Sequence, residues 1–284
     1  MSADGSDRAA VLGLGIIGSR ACPRLAGAGW RVACWNRTPK GLPGETSAPE
    51  DAVDGVSVIS IYLKDSPALR GVAARIAPFL KAGQTVLNHS TVDLETTLWL
   101  ERLCLANGCR FLDAPFTGSR LAAENGQLVY YIGGDPVLAE ELDGFLSATG
   151  KTRLRCGSVG AATVVKLATN LISACTVQAM AEALAIATRH GVPAQCLMNA
   201  VAENACASKL SAMKFPAMIA GDYEAHFSLA NMGKDSRYML ALAESAGVDT
   251  PAIAAVSRRM EELCDAGLGG LDFSALAKPH LDPS

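Results

Sequence analysis

Three glycines placed directly after an apolar run limit this chain more than any other feature. In Ala10-Val-Leu-Gly-Leu-Gly-Ile-Ile-Gly18, Gly13, Gly15 and Gly18 have the G-x-G-x-x-G spacing of a strand-to-helix turn that cradles a dinucleotide. Gly13 permits the tight turn, Gly15 admits a pyrophosphate to the backbone, and Gly18 lets the following helix pack on its strand. Alone, that spacing says little. It gains force from a helical pattern over Arg20 to Ala28 that stops at Gly29, and from a second apolar segment, Arg31-Val-Ala-Cys-Trp35, ending in Asn36-Arg37-Thr38. Strand, helix and strand follow one another at the length of one βαβ unit. Gly13, Leu14, Gly15, Ile16, Ile17 and Gly18 are therefore the expected cofactor loop.

The end of the second strand bears on which nucleotide is taken. A site for NAD usually places Asp or Glu there to accept from the ribose 2′-hydroxyl, whereas a 2′-phosphate needs a cation and hydroxyl or amide donors. This chain has no acid at that point, and Arg37 stands between Asn36 and Thr38. The expected cofactor is NADP(H). An isolated Asn-Arg-Thr would read as an ordinary polar turn; its offset from the glycines decides otherwise.

At 284 residues, 50% hydrophobic and 19% charged, the chain has the length for two domains and the apolar content for a sizeable core. A formal net charge of −3 supplies no basic field, so nucleic acid is not an expected partner. Nine cysteines, an odd number without a C-x-x-C, lie mostly in apolar segments and read as reduced thiols of an intracellular, cytoplasmic protein. The start, Met1-Ser-Ala-Asp-Gly-Ser-Asp7, is polar and acidic, and no uninterrupted apolar run approaches roughly 18 residues, so neither secretion nor a membrane is expected. His89, His190, His226 and His280 lack metal-ligand spacing; no metal is expected, and His89 receives no role.

Short β-type runs alternate with helical stretches through the first half: Ala9–Leu12, Arg31–Trp35, Val56–Tyr62, Thr85–Asn88, Arg110–Asp113, Leu128–Ile132 and Thr152–Cys156. Alternation of this kind predicts an α/β, Rossmann-type, doubly wound and mainly parallel sheet. Beyond Gly160 the pattern becomes helical, with breaks at His190-Gly191-Val192-Pro193, Gly221-Asp222 and Gly247. The expected organisation is a nucleotide-binding domain over 1–160 and an all-helical substrate and dimerisation domain over 161–284, opening with a long interdomain helix.

Within that helix, Thr163, Lys166, Asn170 and Ser173 fall on one stripe, because steps of three and four return to the same face. The positions between them are nearly all aliphatic or Ala, so the helix is expected to be buried on most sides. A lysine in such surroundings sits where desolvation and neighbours can tune its acidity. A solvated face would normally carry several charges rather than one Lys with small polar partners. Elsewhere, Glu140-Glu141 and Arg258-Arg259 read as solvated helix faces, Tyr130-Tyr131 as packed rings, and Asp113 as a shaper of the turn that presents Thr117.

Taken together, Gly13-Leu-Gly-Ile-Ile-Gly18, Asn36-Arg-Thr38, Asn88-His-Ser-Thr91, Asp113-Ala-Pro-Phe-Thr-Gly-Ser119 continuing to Glu124-Asn-Gly-Gln-Leu128, Lys166-Leu-Ala-Thr-Asn170 and Gly233-Lys-Asp235 follow one another in the order of the β-hydroxyacid dehydrogenase family. The resemblance covers nearly the whole chain. Thr117-Gly-Ser-Arg-Leu-Ala-Ala-Glu-Asn-Gly-Gln most resembles the glyoxylate/succinic semialdehyde reductase branch, which uses NADPH. It implies NADPH-dependent reduction of short aldehyde acids to hydroxy acids, with Lys166 as general acid and Asn170 orienting it or holding the substrate oxygen. It further implies that Thr117, Gly118 and Ser119 anchor the substrate carboxylate, that Thr91 touches cofactor and substrate, and that Lys234 lies near the cofactor. Asp235 would stand near the substrate, and Phe227 would form an apolar wall. The family's glycine loop commonly has Met where Ile17 stands, and its anchoring serine is Thr117 here, whose extra methyl is expected to narrow or reshape the pocket.

Alternative readings stay open at this point. Imine reductases share the fold, the glycine loop and the Asn-Arg-Thr element but generally lack the lysine. Other branches of the family act on tartronate semialdehyde or 3-hydroxyisobutyrate, and a catalytically dead relative would be a cofactor-binding oligomerisation module. Lys166, Asn170 and the Thr117 hydroxyl speak for an enzyme. The apolar length of the helix after Gly160 exceeds what one small helical domain covers, so a homodimer or higher homo-oligomer is expected.

Overall fold

The computed structural model describes residues 7–281. The polar start at Met1 and the end of the tail at Pro283-Ser284 lie outside the described residues. Contacts divide the chain into two compact units, Met1–Lys166 and Leu167–Ser284, the division falling inside the long helix rather than at its start.

In the first unit the expected alternation is realised as β1 Arg8–Leu12, α1 Gly18–Gly27, β2 Arg31–Trp35, α2 Pro49–Val53, β3 Val58–Ile61, α3 Ser66–Ile76, β4 Thr85–Asn88, α4 Leu94–Ala106 and β5 Arg110–Asp113. Then come β6 Phe116–Thr117, α5 Arg120–Glu124, β7 Leu128–Gly133, α6 Pro136–Glu141, α7 Asp143–Ser147 and β8 Gly150–Gly157. The strand order is β2-β1-β3-β4-β5-β7-β6, with β8 on β7. Strands β1 to β5 are parallel, β7 runs antiparallel to β5 and β6, and β8 is parallel to β7. The two-residue strand β6 is not visible as a pattern in the sequence, since two residues carry no period; it exists because Thr117 and Phe116 pair with Val129 and Tyr130.

Burial follows the pleat. On β1, Ala9 and Val11 enter one apolar cluster with Leu25, Tyr130 and Phe145, while Ala10 and Leu12 enter another with Ile59, Leu69 and Leu100. Both faces of the sheet are covered, as a parallel sheet requires. Register then places the carboxyl ends side by side: Leu12 is level with Trp35 and Ile61, Ile61 with Asn88, and Asn88 with Asp113.

Two buried polar groups lock this edge. His89, 1% exposed, donates from Nδ1 to the carbonyl of Ala114 at 2.7 Å and accepts at Nε2 from the Ser60 hydroxyl at 3.2 Å, with its ring stacked on Tyr62 at 4.5 Å. The hydroxyls of Tyr62 and Tyr130 meet at 3.2 Å, and Tyr130 continues to Thr149 at 2.8 Å, so Tyr130 packs as expected. Asp113, fully buried, accepts from the amides of Gly160 and Thr163 at 3.2 and 2.9 Å and from the Thr163 hydroxyl at 3.0 Å. This corrects the reading of Asp113 as a shaper of the Thr117 turn. It closes the amino end of helix α8, Ala161–Arg189, whose first amides would otherwise be unpaired. Thr97 meets the same Thr163 hydroxyl at 2.9 Å.

The second unit continues with α9 Ala194–Ala202, α10 Lys209–Ala220, α11 Leu229–Ser245, α12 Pro251–Leu263 and α13 Lys278–Leu281. Gly191, Gly221 and Gly247, at φ of 78°, 66° and 67°, end the helices where the sequence has its breaks. Leu167, Ala174, Val177, Met180, Ala181 and Leu184 of α8 join Phe215, Met232, Met239, Met260 and Phe273 in one core. The opposite face of α8 does not follow the expectation of burial on most sides. Ala168, Ile172, Ala179, Ala183 and Ile186 are exposed, Ile172 by 64%. By length and composition α8 is also apolar enough to cross a membrane, although Lys166, Asn170, Gln178 and Glu182 interrupt it.

Burial holds the His89 imidazole down to about 4, against an ordinary 6.5, so the unfolded chain binds its proton first on acidification. Its contribution to stability is complete above about pH 6.5 and falls by about 3 kcal/mol on going to pH 4. Asp113, pushed up to about 6 by burial, acts in the opposite sense over much of this window and masks the effect in the parent. The difference between parent and His89→Gln isolates it: in urea unfolding the destabilisation of the variant is largest at neutral pH and shrinks by about 3 kcal/mol near pH 4.

Candidate functional site

The glycines divide their work as their surroundings dictate. A Cβ on Gly13, at φ of 99°, would lie 2.2 Å from the carbonyl oxygen of Tyr62, and one on Gly18 would lie 1.9 Å from that of Gly13. Both positions are closed by backbone. Around Gly15 a Cβ would meet no atom within 4 Å. That open space is where a diphosphate would reach the chain, and it sits at the amino end of α1, where the N-cap Ile17 supplies no side-chain cap to the first amides. The residues present thus fit a dinucleotide.

Not every expected cofactor residue faces the opening. The Leu14 side chain is buried, and its amide donates to Asn36 Oδ1 at 2.9 Å, while Asn36 Nδ2 donates to the carbonyl of Thr38 at 2.7 Å. Leu14 and Asn36 therefore brace the loop and the turn against each other instead of presenting free groups. Gly15, Ile16, Arg37 and Thr38 are exposed, and Ile17 is half-buried. The nearest carboxylate along the chain, Glu45, accepts from the amides of Lys40 and Leu42, which hold its proton affinity below the usual range. No acid stands at the end of β2.

Further along the same edge, Thr91 follows β4 and is half-buried. Thr117 and Gly118 are exposed at the end of β6, and Gly118 adopts φ of 143°, where a Cβ would press to 2.8 Å on Leu128. The Ser119 hydroxyl accepts from the Ala122 amide at 3.3 Å and so caps α5, keeping its own proton for donation.

On α8, Lys166 is half-buried and Asn170 is 8% exposed, one turn further on. Thr163 belongs to the Asp113 cap, and the Ser173 hydroxyl donates to the Thr169 carbonyl at 3.0 Å, so the stripe they share with Lys166 is only partly chemical. Asn170 Nδ2 donates to Asp235 Oδ2 at 2.7 Å, and Lys234 Nζ lies 2.9 Å from Asp235 Oδ1. That ion-pair contact is poorly directed, because Oδ1 makes no hydrogen bond despite its burial. Asp235 is fully buried, so it stands as the partner that orients Asn170 rather than as an open contact for a ligand. Phe227 is half-buried, edge-on to Phe273 at 6.2 Å.

Sequence reasoning passed over the group that holds Phe227 in place. Asp272 accepts from Lys214 Nζ at 2.6 Å, from the amides of His226 and Phe227 at 3.1 Å each, and from Ser274, all inside the second unit. Lys214 and Asp272 are separated by 58 positions, and only tertiary contact identifies such a pair.

Two family models divide the chain between them. Residues 8–161 match the NAD binding domain of 6-phosphogluconate dehydrogenase, and residues 160–280 match the NAD-binding domain of NADP-dependent 3-hydroxyisobutyrate dehydrogenase. The chain is 32% identical over 275 residues to the chloroplastic glyoxylate/succinic semialdehyde reductase 2 of Arabidopsis thaliana, covering 93% of this chain and 77% of that one. It belongs to the β-hydroxyacid dehydrogenase family. Glyoxylate/succinic semialdehyde reductase 1 of the same plant is 30% identical, over 93% of this chain and 95% of its own. The fold matches that of Mycobacterium tuberculosis 3-hydroxyisobutyrate dehydrogenase with a TM-score of 0.89 at 22% identity, covering 96% of this chain and 98% of that one. As a family member the protein is an oxidoreductase with a nicotinamide cofactor.

The glycine geometry separates folding from binding. Gly15→Ala leaves the thermal midpoint within the range of a surface change, about 0.5 kcal/mol, yet weakens nucleotide binding at least about tenfold by filling the opening. Gly18→Ala destabilises the fold itself by about 1–3 kcal/mol, since its Cβ must displace backbone. Thermal unfolding and fluorescence titration of the reduced nucleotide measure the two effects separately.

Proposed function

We propose that this protein is an NADPH-dependent reductase of short aldehyde acids, with glyoxylate and succinic semialdehyde as the substrate class. The observation that carries the reading is Lys166 placed one helical turn before Asn170, whose amide is held by the buried Asp235. Support for NADPH comes from Arg37 and Thr38, exposed beyond β2 with no acid at that position. Support for the substrate class comes from the likeness to the two plant glyoxylate/succinic semialdehyde reductases at 32% and 30% identity.

The bound reduced nicotinamide supplies the hydride. As the aldehyde carbon is reduced, its oxygen gains negative charge. Lys166 stabilises that charge and donates the proton that completes the hydroxyl group. Lysine suits this task because it can release a proton, whereas arginine holds its own. Asn170 orients the amine or the substrate oxygen, and Asp235 fixes the direction of the Asn170 amide. The Thr117 hydroxyl, the Gly118 backbone and the Ser119 hydroxyl take the carboxylate. Lys234 belongs to the cofactor side of the site and Phe227 to its apolar wall.

We further propose that two copies associate through the exposed apolar face of α8. Ala168, Ile172, Ala179, Ala183 and Ile186 recur at helical steps, and an isologous pairing would bury the same stripe from both copies. Light scattering after size exclusion is expected to give a dimer or a multiple of one, and Ile172→Glu is expected to shift it to monomer; a monomeric parent removes the proposal.

Lys166→Ala is expected to lower kcat/KM with NADPH and glyoxylate by about 10²–10⁴-fold, and Lys166→Arg not to restore it. A Lys166→Ala enzyme that turns over like the parent rules out this acid. Arg37→Ala is expected to cut the preference for NADPH over NADH by about tenfold or more in a steady-state comparison. Reduction of a cyclic imine with no turnover of any aldehyde acid would replace the proposed activity.

A further inference from the structure

Helix α1 carries two arginines one turn apart, and both grip the segment that follows Thr117-Gly118-Ser119. Arg20 forks. Its Nη1 donates to the carbonyl of Ile16 at 2.7 Å, within the glycine loop, and its Nε donates to Glu124 Oε1 at 2.8 Å. Glu124 is the last residue of α5, the short helix capped by Ser119. Arg24 lies across Gly126, where a Cβ would come to 2.5 Å of Nη2, and its Nε donates to the carbonyl of Ala148 at 3.0 Å. One guanidinium thus bonds the tip of the cofactor loop and the far end of the loop that presents Thr117, and the proposed reaction makes no use of it.

We propose that Arg20 is a positioning residue that couples the two loops: an ordered 117–124 segment holds Arg20 through Glu124, and Arg20 holds the Ile16 carbonyl so that the loop keeps the shape that takes the diphosphate. The nucleotide half of this link rests on the glycine loop alone; its meaning for the substrate rests on the reading of Thr117 and Ser119 given above. A planar guanidinium can bond in two directions at once, which a single ammonium on a flexible stem does poorly. The Arg20 and Glu124 side chains are 28% and 41% exposed, so the pair contributes little to folding and can be cut without losing the structure. Coupling is reciprocal: whatever orders the 117–124 segment tightens the nucleotide, and bound nucleotide steadies that segment.

The test is NADPH titration by fluorescence, without substrate, on the parent, Glu124→Gln, Arg20→Met, Arg20→Lys and the Glu124→Gln/Arg20→Met double variant, with thermal unfolding alongside. Glu124→Gln and Arg20→Met are expected each to weaken NADPH about three- to tenfold at an unchanged thermal midpoint. Arg20→Lys is expected to lie between parent and Arg20→Met, and the double variant to be no worse than Arg20→Met, because all cut the same link. An unchanged NADPH affinity in Glu124→Gln overturns the proposal, as do losses that add in the double variant. Tighter binding in Glu124→Gln also overturns it, since Arg20 would then be a phosphate ligand that Glu124 restrains. Because no aldehyde enters the titration, a parent that fails to reduce glyoxylate refutes the proposed activity and leaves this result readable.

Discussion

The Asp113 carboxylate at the amino end of α8 is the contact on which the first unit depends for the placement of that helix's start. It stands at the end of β5, without solvent, and receives two amides and a hydroxyl from Gly160 and Thr163. A negative charge there satisfies unpaired amides and complements the helix dipole, which is the reason a carboxylate is tolerated at full burial. Desolvation still pushes its affinity for a proton up to about 6, against the hydrogen bonds that pull it down. Lys166 follows in the same helix, so the placement of its first turn sets the angular position of Lys166 along it.

A similar economy governs the cofactor edge. Asn36 bonds the amide of Leu14 and the carbonyl of Thr38, so one side chain shapes both the glycine loop and the turn that displays Arg37. His89 ties β3 to the segment after β5 while remaining neutral. These residues lie within the motifs from which a ligand site was expected, yet their own polar atoms face the protein. Proximity to a site and contact with its ligand are different properties, and hydrogen-bond partners distinguish them.

In the second unit, buried charge is handled by saturation. Asp272 is surrounded by Lys214, two amides and Ser274, and its proton affinity is lowered in spite of burial, because the hydrogen bonds and the ammonium beside it favour the charged form. Removing one member alone would leave the other charge buried without a partner, which costs far more than the pair contributes. Asp235 shows a lesser degree of the same device, bound by Asn170 and approached by Lys234.

The amino-acid sequence by itself determined the class of fold, the parallel strands, the places where helices end and the glycine turn between β1 and α1. Each of these depends on local physics: two-residue alternation, 3.6-residue periodicity, and glycines whose φ no other residue adopts easily. That Lys166 and Asn170 share one helix face was legible for the same reason, being four residues apart. Tertiary structure alone decided that Asp113 caps α8, that Lys214 meets Asp272 across 58 positions, that Arg20 reaches Glu124, and that one face of α8 stays exposed. Such pairings join residues remote in the chain, and no local periodicity encodes a partner; they exist only once packing has brought the groups within hydrogen-bond range and excluded the water that would otherwise satisfy them.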